Sequence, residues 1–202
     1  LPPAAAAAIA QETSPALMRA AEAIATAHEQ TMLLLADAIA CREGAPLGAE
    51  QRVLDHATRF AKALDLNQDE QSALERGALL RDVGKLAIDN QVLLKSNVLD
   101  YDEWILIRRH TTLGAQILQE RNLAQDTLDV IRYHHECWDG DGYPENMEGE
   151  EIPRLARVMK IIDTYCAMTT RRHYRSTTTT HEDALIHLKS ERGKHYDPQL
   201  VD

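Results

Sequence analysis

Two adjacent histidines, His134 and His135, stand just before a glycine-rich stretch that runs from Cys137 to Pro144. Neutral imidazole is the commonest metal ligand in proteins. A histidine pair at the end of a helix, beside a flexible turn, is typical of a metal site at the rim of a helical fold. The alternative interpretation is that both are ordinary polar residues at a helix end. The thiol of Cys137 is a further, weaker candidate ligand.

Three other residues favour the metal-site interpretation, namely Asp82, His110 and Asp163. A separate basic cluster, Arg171 to Arg175, stands out in a chain whose formal net charge is −10 over 202 residues. That acidity argues against a general nucleic-acid binder, whose affinity comes from many Lys and Arg contacts to phosphates. A small anionic ligand needs only a local cluster of cations, which bind phosphate through charge-assisted hydrogen bonds. The alternative is a solvated basic turn.

Helical spacing of the apolar residues, with no clean strand alternation, predicts an all-α fold. The sequence predicts seven helices. The first begins at Ser14-Pro15, the second spans about Gly48 to Leu66, and the third begins at Asn67 and ends near Asp82. The fourth begins at Asp100 and carries His110, the fifth spans about Asp126 to Glu136, the sixth begins at Pro153, and the seventh begins at Thr180.

The chain divides into an N-terminal segment, 1–40, and a helical domain, 41–202. The N-terminal segment is an alanine-rich linker and a helix whose narrow apolar stripe favours either a homodimer or a signal-transmitting helix. Packing on its own domain is the alternative. No apolar run is long enough to predict a membrane span. Three cysteines without a C-x-x-C pair indicate free thiols in a reducing cytoplasm, and the absence of an initial Met suggests a piece of a longer protein.

Several motifs appear in a fixed order: Asp82-Val83-Gly84-Lys85, His134-His135-Glu136, Trp138 to Pro144, and Arg172 to Arg175. In this respect the chain resembles HD-GYP domains, the bacterial branch of the HD metal-dependent phosphohydrolases that cleaves cyclic di-GMP. The resemblance covers about Ala38 to Asp202. It implies an HD-superfamily helical bundle, an upstream sensor or receiver domain, and cyclic di-GMP or a related guanine dinucleotide as ligand.

The resemblance implies two metal positions, of which the first is damaged here. In the family, the first metal is held by an early His, by the His and Asp of the "HD" pair, and by a late Asp. Ala49 replaces the early His and Arg81 replaces the other, so Asp82 and Asp163 remain. The second position uses Asp82, His110, His134 and His135, all of which are present. The expectation is therefore at most one divalent ion (Fe, Mn, Mg, Ni or Zn), at the second position, or none.

Residues on the substrate side match the family pattern more fully. By resemblance, Asp82 and Lys85 are the catalytic candidates, and Lys85 would also meet a phosphate. Arg172, Tyr174 and Arg175 match a substrate-binding element, with His173 in place of a proline. The loop Gly142-Tyr143-Pro144 is linked in the family to substrate access and to contact with GGDEF cyclase domains.

Arg81 decides between the hypotheses. A guanidinium stays protonated and cannot coordinate a metal. It either points its charge away or forms an ion pair with Asp82 or Asp163, and the sequence leaves both orientations open. The favoured hypothesis is a degenerate HD-GYP domain with little or no hydrolysis, acting as a nucleotide-binding or protein-interaction module. An active phosphodiesterase with an altered metal site and a purely structural signal-transmission domain are the alternatives.

Overall fold

A computed structural model of the protein describes residues 15–121, 123–170 and 179–202. The helices of these residues, in chain order, are α1 Pro15–Arg42, α2 Ala49–Ala63, α3 Gln68–Leu80, α4 Asn90–Leu93, α5 Tyr101–Arg108, α6 His110–Leu118, α7 Gln125–Tyr133, α8 Arg154–Thr169, α9 His181–Ser190 and α10 Pro198–Val201. Two 3-10 helices, Val83–Ala87 and Gly149–Glu151, lie between them. The described ranges contain two isolated β-bridges and no strand. The predicted all-α class is confirmed.

Capping side chains fix the predicted helix starts at Asn67, Asp100 and Thr180. At α3, the Asn67 side chain accepts from the backbone N–H of Glu70 at 3.0 Å, and the Glu70 carboxylate accepts from the Asn67 N–H at 3.0 Å. Asp100 and Glu103 form the same reciprocal box at α5. These bonds satisfy N–H groups that a helix start otherwise leaves without partners.

The main core lies where α2, α3, α7 and α8 pack together. Small residues allow this close packing. A Cβ atom at Gly77 of α3 would lie 2.5 Å from Cγ1 of Val130 in α7, so only glycine fits there. The same contact brings the ends of α3 and α7, and with them Arg81 and His134, to one side of the bundle.

Helix α1 begins apart from the bundle and ends against it. Its described side chains from Pro15 to Thr31 are exposed, whereas Ala36, Ile39 and Ala40 are buried. The helix runs without a break across residue 40, the predicted boundary between the N-terminal segment and the helical domain. The division into these two parts stays a prediction. None of the described helices is long and apolar enough to cross a membrane.

The predicted helix from Asp100 through His110 is in fact two helices, α5 and α6, divided at Arg109. The segment after α3 also differs, because a 3-10 helix follows Asp82. Gly84 permits its close approach to α6, since a Cβ atom there would lie 1.9 Å from the carbonyl oxygen of His110. Asp82 and His110 are thereby brought side by side.

Candidate functional site

Three histidines form a compact cluster at one end of the bundle. His110 comes from the first turn of α6, and His134 and His135 follow α7 directly. One ring nitrogen of each lies within 4.8 Å of those of the other two. His110 is 1% exposed and His134 is fully buried. His135 is half-buried, so the cluster lies beneath the surface at His110 and His134 and reaches it at His135.

The backbone orients two of these rings. The Nδ1–H of His110 donates to the carbonyl oxygen of Ile107 at 2.7 Å, and that of His134 to Ile131 at 2.9 Å. Since a carbonyl only accepts, each Nε2 carries a lone pair. Both Nε2 atoms are buried and have no hydrogen-bond partner. A buried acceptor without a partner is costly, and a carbonyl behind the ring is the usual support of a metal-ligating histidine.

Asp82 faces this cluster. Its Oδ1 lies 3.5 Å from Nε2 of His110, so two acceptors face each other, an arrangement that a cation between them would stabilise. Burial lowers the pKa of His134 to about 4, with a further contribution from His110, and burial also lowers the pKa values of His110 and His135. All three imidazoles are neutral at pH 7, the form that binds metals. The three histidines fit a divalent ion, and Asp82, which also contacts Lys85 at 3.1 Å, lies beside them.

The Arg81 side chain lies beside Asp82 and Asp163, the two residues that the resemblance assigns to a first metal. Of the two orientations that the sequence left open, the structure has the inward one. Its Nε donates to Asp163 at 2.9 Å, and its two terminal nitrogens lie 2.7 and 3.3 Å from the two carboxylate oxygens of Glu50. A weaker contact of 3.6 Å reaches Asp82. The guanidinium thus binds the carboxylates that would otherwise face a cation.

Electrostatics keep this arrangement charged despite its depth. Burial opposes the charge of Arg81, but attraction to Glu50, Asp82 and Asp163 outweighs burial and raises its pKa well above the usual value. Burial would raise the pKa of Asp163, but Arg81 more than offsets it and the pKa is lowered. A cavity of about 30 Å³ lies beside Ala49, the residue that the resemblance sets in place of a histidine. These residues do not fit a metal at the first position.

Lys85 is held by two carboxylates. Its Nζ lies 2.9 Å from Oε2 of Glu43 and 3.1 Å from Oδ1 of Asp82. Burial would raise the pKa of Asp82, but Lys85 and then Arg81 outweigh that effect and hold the pKa well below its usual range. Lys85 therefore brings a fixed positive charge to the edge of the histidine cluster.

The loop Gly142-Tyr143-Pro144 forms a cover over the cluster. The Tyr143 ring stacks on His135 with centroids 4.8 Å apart, and the Arg108 guanidinium lies 4.9 Å from the Tyr143 ring on another side. The buried carboxylate of Glu136 anchors the loop by accepting from the backbone N–H of Glu145 at 2.7 Å. The loop is therefore tied to the same histidine stretch that it covers.

The structure brings together Asp82, His110, His134, His135 and, through Arg81, Asp163. The predicted substrate residues Arg172, Tyr174 and Arg175 lie outside the described residues. Sequence reasoning missed Glu43 and Glu50. A signal for Glu50 was available, because an acidic residue directly follows Ala49, the position that lost its histidine, and a new buried cation at Arg81 requires a new anion.

Comparisons with known proteins agree with the site and the fold. The sequence profile of the HD domain family matches residues 33–200. Over 178 residues the chain is 36% identical to a cyclic di-GMP phosphodiesterase response regulator, RpfG, of Xanthomonas campestris, covering 87% of this chain and 47% of that one. It is 34% identical over 170 residues to 3'3'-cGAMP-specific phosphodiesterase 2 of Vibrio cholerae, covering 83% and 32%.

A solved structure of a cyclic GMP-AMP-specific phosphodiesterase of V. cholerae, V-cGAP3, superposes with a TM-score of 0.66 at 23% identity. It covers 86% of this chain and 46% of that one, and shows the same fold. The chain spans about a third to a half of the length of these curated relatives. It belongs to the HD domain family, and its His134-His135-Glu136 and Gly142-Tyr143-Pro144 motifs place it among the HD-GYP proteins.

Proposed function

We propose that this domain is a degenerate HD-GYP module of bacterial cyclic di-GMP signalling, which binds the dinucleotide and hydrolyses it little or not at all. The observation that carries the proposal is the position of Arg81 between Glu50 and Asp163. Cleavage of a phosphodiester favours two metal ions that clamp the attacking and leaving oxygens. Here the carboxylates that a first ion would need are already paired with a guanidinium.

A single divalent ion at Asp82, His110, His134 and His135 is part of the proposal. When bound there, it would act as a Lewis acid toward a phosphate oxygen. The backbone carbonyls of Ile107 and Ile131 keep the Nε2 lone pairs of His110 and His134 turned into the site. Lys85 supplies a cation for the phosphate diester. Arg172 and Arg175, which lie outside the described residues, are proposed to supply two more.

Tyr143 is proposed to limit the access of water and nucleotide, since its ring covers His135. The loop Gly142-Tyr143-Pro144 is also the proposed contact for a GGDEF-domain partner. We further propose an upstream sensor or receiver domain, and a cytoplasmic location, in agreement with three free thiols at Cys41, Cys137 and Cys166.

A second candidate function is an active phosphodiesterase that uses the histidine cluster alone. It is favoured by the neutral, correctly oriented imidazoles of His110 and His134. The test is a steady-state assay of cyclic di-GMP turnover with added Mn²⁺ or Fe²⁺, together with elemental analysis of the purified protein.

The proposal predicts at most one ion per chain and no turnover above a metal-stripped control, with cyclic di-GMP binding retained. Arg81→His combined with Ala49→His restores both family histidines and should raise metal content and turnover, whereas Arg81→His alone should raise them little. Robust turnover by the wild type would refute the inactive reading and favour the second candidate. Absence of nucleotide binding would refute both.

A further inference from the structure

The last residue of α1, Arg42, is tied to the segment that follows Asp82. Its Nε donates to the side-chain oxygen of Asn90 at 2.7 Å, and its two terminal nitrogens donate to the carbonyl oxygens of Lys85 at 2.8 Å and Ile88 at 2.7 Å. One guanidinium thus spans the 3-10 helix and the start of α4. A planar guanidinium loses little freedom for each such bond, so this contact fixes the segment firmly.

The next residue, Glu43, forms an ion pair with the side chain of the same lysine. Its carboxylate accepts from Lys85 Nζ at 2.9 Å, and the two side chains are only 19% and 15% exposed. Asp82 takes the other side of the ammonium at 3.1 Å. A phosphate that approaches Lys85 meets a cation already neutralised by two carboxylates, and it must displace or tolerate the charge of Glu43.

Arg42 and Glu43 contact different parts of Lys85. Arg42 holds the backbone of Lys85, and Glu43 holds its charge. Arg42 is the last residue of α1 and Glu43 follows it directly, whereas the side chains described in the first half of α1 are exposed. A displacement of the end of α1 would alter both contacts, because Arg42 and Glu43 are adjacent in the chain.

We propose that Arg42 and Glu43 form a latch on Lys85, in which Glu43 takes the place of a nucleotide phosphate and Arg42 fixes the segment that carries the lysine. The latch makes the end of α1 a control element for nucleotide binding. It rests on the proposed function, because it assigns Lys85 to a phosphate.

The Glu43 contact is tested by calorimetric titration of cyclic di-GMP into wild type, Glu43→Gln and Glu29→Gln. Glutamine keeps the size of Glu43 and removes its charge, so the affinity should rise about three- to tenfold. Glu29 is an exposed acid on the same helix and serves as the matched control, with affinity unchanged. An affinity of Glu43→Gln equal to or below that of the control would overturn the latch.

The Arg42 contact is tested without nucleotide, by amide hydrogen exchange of wild type, Arg42→Ala, Arg42→Lys and Arg59→Ala. Exchange in residues 83–93 should rise about tenfold or more in Arg42→Ala and less in Arg42→Lys, while α7 stays protected. Arg59 is exposed on α2 and serves as the control. Wild-type exchange in Arg42→Ala, or a rise that includes α7, would refute this contact as a local clamp. If no variant binds cyclic di-GMP, the proposed function and the role of Glu43 fail together, and the exchange data still decide on Arg42.

Discussion

Removal of Arg81 should expose how much of the fold depends on its charge. In Arg81→Ala, Glu50 and Asp163 lose the cation that they now bind at 2.7 and 2.9 Å. Removing one partner of a buried ion pair costs about 3–5 kcal/mol, because the remaining charge is buried without compensation. For a domain of this size each kcal/mol lowers the melting temperature by about 2–4 °C, so the expected fall is roughly 6–20 °C.

The assay is thermal unfolding followed by circular dichroism, with Arg192→Ala as control. Arg192 pairs with Asp202 at the exposed surface, so its removal should change the melting temperature by less than about 2 °C. Glu50→Gln in the Arg81→Ala background should recover part of the loss, because it removes one uncompensated carboxylate.

The effect of added divalent ions on the melting temperature tests the same carboxylates in a second way. Mn²⁺ should stabilise Arg81→Ala no more than it stabilises the wild type, because Ala49 and the Arg81→Ala substitution both leave the first position without a histidine ligand. A melting temperature of Arg81→Ala within about 2 °C of wild type would refute the reasoning, since it would mean that the buried carboxylates need no cation. Strictly additive losses in the double variant would refute it as well.

Three further outcomes are expected. His134→Ala should reduce the divalent metal content to background by elemental analysis, whereas His28→Ala, on the exposed part of α1, should not; metal retained in His134→Ala would contradict the second-position assignment. Gly84→Ala should lower the free energy of unfolding, measured by urea denaturation, by about 1–3 kcal/mol, because its Cβ would lie 1.9 Å from the His110 carbonyl oxygen; an unchanged free energy of unfolding would contradict that contact. Ile24→Glu should convert a proposed α1-mediated homodimer to monomer in light scattering, since Ile24 is 58% exposed on an apolar stripe; a wild-type monomer would exclude the dimer.

The sequence predicted the helices whose signals are local. Asn67 with Glu70 and Asp100 with Glu103 start helices through bonds between residues three apart, which a linear pattern contains in full. The histidine cluster was also within reach, because its motif is short and its members follow or begin helices. By contrast, no Pro or Gly marks the break between α5 and α6 at Arg109 in the sequence.

The partners of the two site cations lie far from them in the sequence, and only Glu50, which directly follows Ala49, left a signal there. Glu50 lies 31 positions from Arg81, and Glu43 lies 42 positions from Lys85. Glu43 has no neighbouring motif. The signal at Glu50 is weak, because an acidic residue at the start of a helix is usually explained by the helix dipole alone. Their burial depends on the packing of α1 and α2 against the end of α3, which is a property of the whole fold.

A cation carried by the polypeptide differs from a bound ion in how the cell can act on it. The guanidinium of Arg81 cannot be chelated, exchanged for another metal or oxidised, and it is present at one copy per chain from the moment of synthesis. The junction of α2, α3 and α8 around Glu50 and Asp163 is therefore complete in cells starved of iron or exposed to oxygen. In this half of the site, the carboxylates of Glu50 and Asp163 pair with a charge that the chain itself carries.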